Sequence, residues 1–392
     1  MRALRLVLPC AALTVAAACN AIFGVQPGVG GGPGPASGGG GSTSVASSGS
    51  VASSTGTGGS ATASSSSGSG GAPACPADKI PPCHVDGGAG AICDAVSITG
   101  SYDGYAIGLA VVGDTVYWAS GNGKITYGST QGSVGANAFG NGSDSVMAVT
   151  DGQNIYWTDW NDATIRGASL SPGNQLVDVA SMVAADAGPM PRALLGRIAL
   201  RAGQLYWAGE YPSAIWTAKA DGTQVYATKV ADKVDDTEST EVSIGVAVDD
   251  AHIYWTDDGA VRRLPLDKIG DSSAIEPFAS DPGAGEVMVD ETRVYWTSSA
   301  GVASKKKDGT GLVVLPVAGA RARSLLLDGG YVYWSESGGR IVRAQKGGGT
   351  STVSVVSQGT PDAYMMAADC GAIYWSTFAY NHGSIYKVRK PD

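Results

Sequence analysis

Residues 246–257 read Val246-Ala247-Val248-Asp249-Asp250-Ala251-His252-Ile253-Tyr254-Trp255-Thr256-Asp257. An apolar run, a short polar turn and a second run carrying two adjacent aromatics make a hairpin pattern. The pattern returns along the chain. Tyr-Trp stands at Tyr117-Trp118, Tyr156-Trp157, Tyr206-Trp207, Tyr254-Trp255, Tyr295-Trp296, Tyr333-Trp334 and Tyr374-Trp375. An apolar run precedes each pair, such as Leu109-Ala110-Val111-Val112 or Leu325-Leu326-Leu327. Neighbouring Trp positions lie 38 to 50 residues apart, the period of propeller blades.

We label the apolar run strand A and the Tyr-Trp run strand B. A third run, strand C, follows each pair, as in Ala163-Thr164-Ile165-Arg166. Strand C ends twice in Asp-Gly-Thr, at Asp221 to Thr223 and at Asp308 to Thr310. Strand D comes next, as in Leu312-Val313-Val314-Leu315. Four short antiparallel strands make one blade. The expected fold is therefore all-β, a seven-bladed β-propeller with four-stranded blades. Strand alternation sends Tyr and Trp to opposite faces of the blade. Neighbouring blades cover both faces, so both rings are expected in the core. In this topology A-B and C-D turns share one face of the ring, while B-C and D-A loops share the other.

These cores resemble the YWTD-type propellers, the class B repeats of low-density-lipoprotein-receptor proteins, over roughly residues 91–390. Tyr156 to Asp159 and Tyr254 to Asp257 carry all four letters. The other five depart at the third or fourth letter, as in Trp118-Ala119-Ser120 and Trp334-Ser335-Glu336. The resemblance implies that the fourth-letter Asp ties neighbouring blades together. It implies six blades, whereas seven cores stand here.

Residues 1–18 read as a signal peptide, with Arg2 and Arg5 ahead of a short apolar stretch, too short to span a bilayer. Ala16-Ala17-Ala18-Cys19 resembles a lipobox, which implies acylation of Cys19. Ordinary cleavage after the alanines is the alternative. Asn20 is not the Asp that retains similar lipoproteins at the inner membrane, so an outer-membrane lipoprotein is expected. Within 19–73, residues 24–73 lack any charge and are almost wholly Gly, Ser, Ala, Thr, Val and Pro. They cannot bury enough apolar surface to fold and read as a lipid-anchored flexible tether. Residues 74–90 form a Cys/Pro transition, and 91–392 the propeller.

The last repeat ends at Asp392 without room for a strand D. Residues 92–98 are expected to supply it, beside residues 385–388, so that the ring closes and loses its exposed edges. Besides Cys19, the exported chain keeps Cys75, Cys83, Cys93 and Cys370. An even set in an exported protein points to disulfides, with three possible connectivities. Closure favours Cys93–Cys370 with Cys75–Cys83. A zinc site would need paired close ligand spacings that these cysteines lack.

Loss of Arg2 and Arg5 takes the formal net charge from −9 to −11, which argues against nucleic acid as partner. Lys305-Lys306-Lys307 is the one basic run and reads as a solvated turn. The three histidines, His84, His252 and His382, lack partners at metal-site spacing. Asp159 and Asp162 have too few oxygens beside them for Ca²⁺ and read as a polar loop. No catalytic residue, metal or cofactor is expected. The B-C loops carry Trp160, Tyr211, Phe378, Tyr380 and His382. Aromatics on such loops mark a recognition patch for an envelope or extracellular protein or a glycan; rings folded over their own loops are the bland alternative. The expected function is a non-catalytic, monomeric envelope lipoprotein that displays a binding propeller. A propeller-channel hydrolase or lyase acting on a carbohydrate or lactone is the competing reading.

Overall fold

The computed structural model describes residues 83–85, 91–99, 106–132, 137–140, 145–159, 164–170, 176–181, 197–209, 214–224, 226–232, 245–257, 259–318, 321–377 and 383–391. All lie in the second of two compact units, Ala61–Asp392. Among them the only helical pieces are three 3-10 turns.

Seven four-stranded antiparallel sheets follow one another, each ordered A to D. Blade one is Ala106–Val112, Thr115–Ser120, Lys124–Ser129 and Asn137–Phe139. The A strands of blades two to six are Ser145–Thr150, Ala199–Arg201, Val246–Val248, Val287–Val289 and Ala322–Asp328. Blade seven has Ala363–Ala368, Ala372–Thr377 and Ser384–Arg389 from the end of the chain, and its strand D, Val96–Ser97, from the beginning. Neighbouring A strands touch all the way round, and blade seven touches blade one. The chain is a closed seven-bladed β-propeller.

The Tyr-Trp pair builds the core as strand alternation requires. Each core Trp is at most 1% exposed and each core Tyr at most 9%. Tyr206 of blade three shares a cluster with Trp255 of blade four, Tyr254 with Trp296, Tyr295 with Trp334, and Tyr333 with Trp375. Tyr thus faces the following blade and Trp the preceding one. Such rings bury about 150–250 Å² each, so two per blade seal both sides of every junction.

Polar clips join the blades. Asp257 pairs with Arg262 at 2.7 Å and Asp159 with Arg166 at 3.6 Å, both inside their own blades. The third letter makes a tie to the next blade. Thr256 Oγ1 donates to the Gly285 carbonyl at 2.6 Å and Ser335 Oγ to Ala363 at 3.3 Å. A second tie uses the A-B turn Asp. Asp249 caps its turn by accepting from the Ala251 and His252 amides and from the Tyr254 hydroxyl. Lys307 of blade five then reaches it at 2.8 Å. Lys346 to Asp290 (3.8 Å) and Lys390 to Asp328 (2.6 Å) repeat the contact at the next two junctions. The basic run is therefore not simply a solvated turn: Lys305 Nζ also donates to the Phe278 carbonyl of blade four at 2.8 Å.

Glycine admits the closest approach of A strands. A Cβ on Gly108 or on Gly245 would overlap backbone of the following blade, at Ala148 and Val287 respectively.

Closure differs in detail from the expectation. Val96 and Ser97 pair with Lys387 and Tyr386, and Ile98 N–H donates to the Ile385 carbonyl at 2.9 Å. Residues 91–93 do not join that strand. Ala91–Cys93 pairs instead with Cys83–Val85, inside the segment read as a transition. Cys83 and Cys93 face each other directly in this hairpin, with Cα atoms 4.0 Å apart, and form a disulfide. The expected Cys93–Cys370 and Cys75–Cys83 bonds are thereby overturned. Side-by-side strands bring cysteines closer than a bridge across the blade, where strands B and C intervene. Cys370, in the A-B turn of blade seven, is also disulfide-bonded. Its partner falls outside the described residues, as do Cys19 and Cys75.

Candidate functional site at the mouth of the channel

The A strands run from the D-A loops towards the A-B turns, each bonded to strand B along one edge. The other edge faces the axis with free backbone N–H and C=O groups, which must find partners or water. Two charged residues meet this demand at the D-A end. Arg197 stands two positions before the A strand of blade three, and Glu286 directly before that of blade five. Their side chains pair directly. Both then grip Leu325 in the A strand of blade six. Glu286 Oε2 accepts from the Leu325 amide at 2.7 Å, and Arg197 Nη2 donates to the Leu325 carbonyl at 2.7 Å. Blade four lies between three and five, so Arg197 crosses the channel mouth rather than bridging neighbours.

The pair is deeply placed, with side-chain exposures of 16% for Arg197 and 6% for Glu286. Burial pulls the Arg197 guanidinium down to about 10, so it stays charged at neutral pH.

The A strands divide the ring into unlike halves. Those of blades three, four and five have 3 residues each. Those of blades six, seven, one and two have 6 or 7 residues. Each of these four carries a register shift near its start, as between Ala322 and Leu325. Such bulges re-aim side chains. In blade six the shifted stretch holds Arg323 and Ser324; in blade seven it holds Tyr364. Arg323 lies 3.8 Å from Asp362, both about half exposed. Asp362 Oδ1 already accepts from the Gly338 and Gly339 amides. Burial pushes the Tyr364 phenol up to about 12, and nearby Arg323 pulls the other way.

Farther out, acids at the ends of strands B and D are likewise held. Glu336 pairs with Arg340 at 2.8 Å and accepts from the Trp334 indole N–H at 3.0 Å. Asp281 accepts from the Trp296 indole at 2.8 Å. Asp159, weighed as a Ca²⁺ ligand, faces Arg166. Among the described residues no group of three His, Cys, Asp or Glu side chains could hold a metal ion.

The loop aromatics singled out from the sequence, Trp160, Tyr211, Phe378, Tyr380 and His382, all lie outside the described residues, as does Asp162. His84 is exposed beside Asp94, and His252 lies in the A-B turn of blade four against Tyr254, so neither is at the mouth. Sequence reading passed over Arg197, Glu286, Arg323 and Tyr364. A signal was present: Arg197 and Glu286 are charges placed immediately ahead of the apolar runs of their blades.

The sequence matches no protein-family profile and no curated protein. Solved structures do match. A virginiamycin B lyase from Staphylococcus aureus aligns with a TM-score of 0.55 at 12% identity, over 76% of this chain and 99% of that one. A streptogramin B lyase aligns with a TM-score of 0.57 at 13% identity, over 76% and 98%. The likeness is one of fold. Propellers carry many unrelated tasks, and identity this low transfers no site residue.

Proposed function

We propose that this chain is a lipid-anchored envelope protein whose propeller binds a partner protein or glycan on the face that bears the D-A and B-C loops. The observation that carries the binding reading is the state of Glu286. Both its carboxylate oxygens are engaged, one by Arg197 and one by the Leu325 amide. A general base must lie within reach of the substrate proton with its pKa tuned to take it, whereas Glu286 is ion-paired with Arg197 and anchored on the Leu325 amide, as a strut that holds the ring. The lack of a catalytic motif in the sequence supports the same reading. So do the lipobox-like Ala16-Ala17-Ala18-Cys19 and the uncharged stretch 24–73, which fit export, acylation at Cys19, outer-membrane attachment and display on a tether. An acidic, monomeric chain of this kind is not a nucleic-acid partner.

The second reading, a hydrolase or lyase acting on a carbohydrate or lactone, draws on the names of the two lyases with the same fold. One set of measurements on the full-length protein separates the two. Membrane fractionation of wild type and Cys19→Ser, intact-mass analysis, and thermal-shift screening against glycans and envelope proteins test the binding reading. Incubation with a streptogramin B tests the lyase reading. Turnover that falls in Glu286→Gln would overturn the binding reading, and a wild-type mass without acyl chains would overturn the anchor.

A further inference from the structure

The donors and acceptors at the channel mouth do not balance. Arg197 has five N–H donors. Nε meets Glu286 and one Nη2 hydrogen meets Leu325, and no other partner of Arg197 exists among the described residues. Three of its donors have no partner among the described residues. Arg323, two positions before Leu325 on the same strand, makes one ion pair among the described residues, the loose 3.8 Å contact to Asp362, and lies near Tyr364. Ser324, next to Arg323 in the bulge, keeps a fully buried hydroxyl with no hydrogen-bond partner among the described residues. The acceptors nearby are taken. Glu286 is neutralised by Arg197 and accepts from the Leu325 amide, and Asp362 Oδ1 accepts from two glycine amides. The site has acids whose charge is already met by backbone and guanidinium, and guanidiniums with donors to spare.

We infer that the channel mouth binds an anion with two oxygens side by side, a carboxylate, on the open edge of Arg197 with Arg323 as the second donor. Guanidinium forks match such a pair of oxygens bidentately, and charge-assisted bonds of this kind are about twice as strong as neutral ones. Glu286 fixes the guanidinium plane before the ligand arrives, so little side-chain freedom is lost on binding. Arg323 leaves Asp362 at small cost, because a half-exposed pair at that distance contributes little. The ligand stays on the bulged side of the ring, where the shifted A strand of blade six presents the half-exposed Arg323. A carboxylate can belong to an acidic sugar or to the end of a peptide, and either fits the proposed partner classes. The inference rests on the reading of this face as a binding surface.

The test is a titration of full-length protein with sodium acetate and, separately, inorganic phosphate. Nitrogen-proton NMR of arginine side chains follows the reaction, with sodium chloride at equal ionic strength as control. The Arg197 Nε–H signal is expected to shift saturably with acetate and not with chloride. Arg323→Gln, a change at a half-exposed side chain, is expected to weaken acetate by about tenfold, the loss of roughly one charge-assisted bond. Glu286→Gln keeps an acceptor for the Leu325 amide but removes the competing charge, and is expected to tighten acetate several-fold. Arg197→Gln should abolish it. A stronger response to phosphate than to acetate would overturn the carboxylate assignment. No saturable shift, or acetate binding indifferent to both Arg323→Gln and Glu286→Gln, would make Arg197 a strut only. A face that binds a glycan or protein but no acetate sinks this inference and leaves the binding reading standing.

Discussion

Ser376 Oγ donates to the Ile107 carbonyl at 3.1 Å, and so joins the last blade to the first. The same hydroxyl accepts from the Met365 amide of its own blade at 3.2 Å. Thr256 makes the equivalent pair of bonds one junction after another blade, to Gly245 and Gly285. One buried hydroxyl at the third letter therefore satisfies two backbone groups at once, one in its own blade and one in the next. This explains Thr or Ser there in five cores. Ala119 and Ala208 stand in the other two.

Thr256→Val keeps the shape and removes the hydroxyl. The Gly245 amide and Gly285 carbonyl are then left without it in a dry junction. A loss of about 1–3 kcal/mol is expected, the usual cost of an orphaned buried group. Urea unfolding followed by tryptophan fluorescence measures it. A loss below about 0.5 kcal/mol would mean that water replaces the clip.

Trp255 tests packing in place of polar ties. It is fully buried between Tyr206 and the A strands of blades three and four. Trp255→Ala is expected to cost about 3–5 kcal/mol. Near-wild-type stability would show that the junction collapses onto the gap.

Acid should loosen the ring at the lysine clips. Burial raises the Asp249 carboxyl, but Lys307 and the Ala251 and His252 amides outweigh it and hold the group below the usual range. Asp290 is likewise lowered: burial opposes, while the Thr292 and Arg293 amides, the Tyr295 hydroxyl and Lys346 prevail. A carboxyl with a depressed folded value stabilises the fold above its unfolded value, about 3.9. That stability is lost as pH falls through the lower folded value. The urea midpoint should hold from pH 7 to about pH 5 and fall below pH 4. Lys307→Met is expected to cost about 1 kcal/mol at pH 7 and to flatten the acid limb. An unchanged limb would mean that the turn amides alone hold Asp249.

What could be read from the sequence was what repeats locally. Tyr and Trp sit next to each other, so strand alternation alone placed them on opposite faces and gave the blade its two packing surfaces. Charges that act across the ring left no local pattern. Arg197 and Glu286 belong to different blades with a third between them, and only the closed ring brings them together. The cysteines misled for a related reason. Cys93 sits three residues before the closing strand Val96–Ser97 and was read as part of it, whereas Ala91–Cys93 pairs with Cys83–Val85. The third-letter hydroxyls were visible as Thr and Ser, but their inter-blade role needed the register of the A strands.

The remaining disulfide carries the last prediction. Cys83–Cys93 spans a sequence separation of 10, worth about 3 kcal/mol in the chain-entropy account. Cys370 is bonded elsewhere. With Cys83 and Cys93 taken, and Cys19 acylated under the proposed anchor, Cys75 is the cysteine left in the exported chain. A Cys75–Cys370 bond would enclose almost the entire propeller and contribute more than about 4 kcal/mol in the same account. It would also tie the segment ahead of the closing strand to the turn of blade seven, at the seam where first and last strands meet. A covalent tie there slows opening, which sets kinetic stability. Non-reducing peptide mapping should recover Cys83 with Cys93 and Cys75 with Cys370. Cys370→Ser should speed unfolding more than the paired change of Cys83 and Cys93 to Ser. Recovery of Cys370 with any other cysteine, or equal unfolding rates in the two variants, would leave the seam to strand pairing, the Ser376 clip and the hairpin alone.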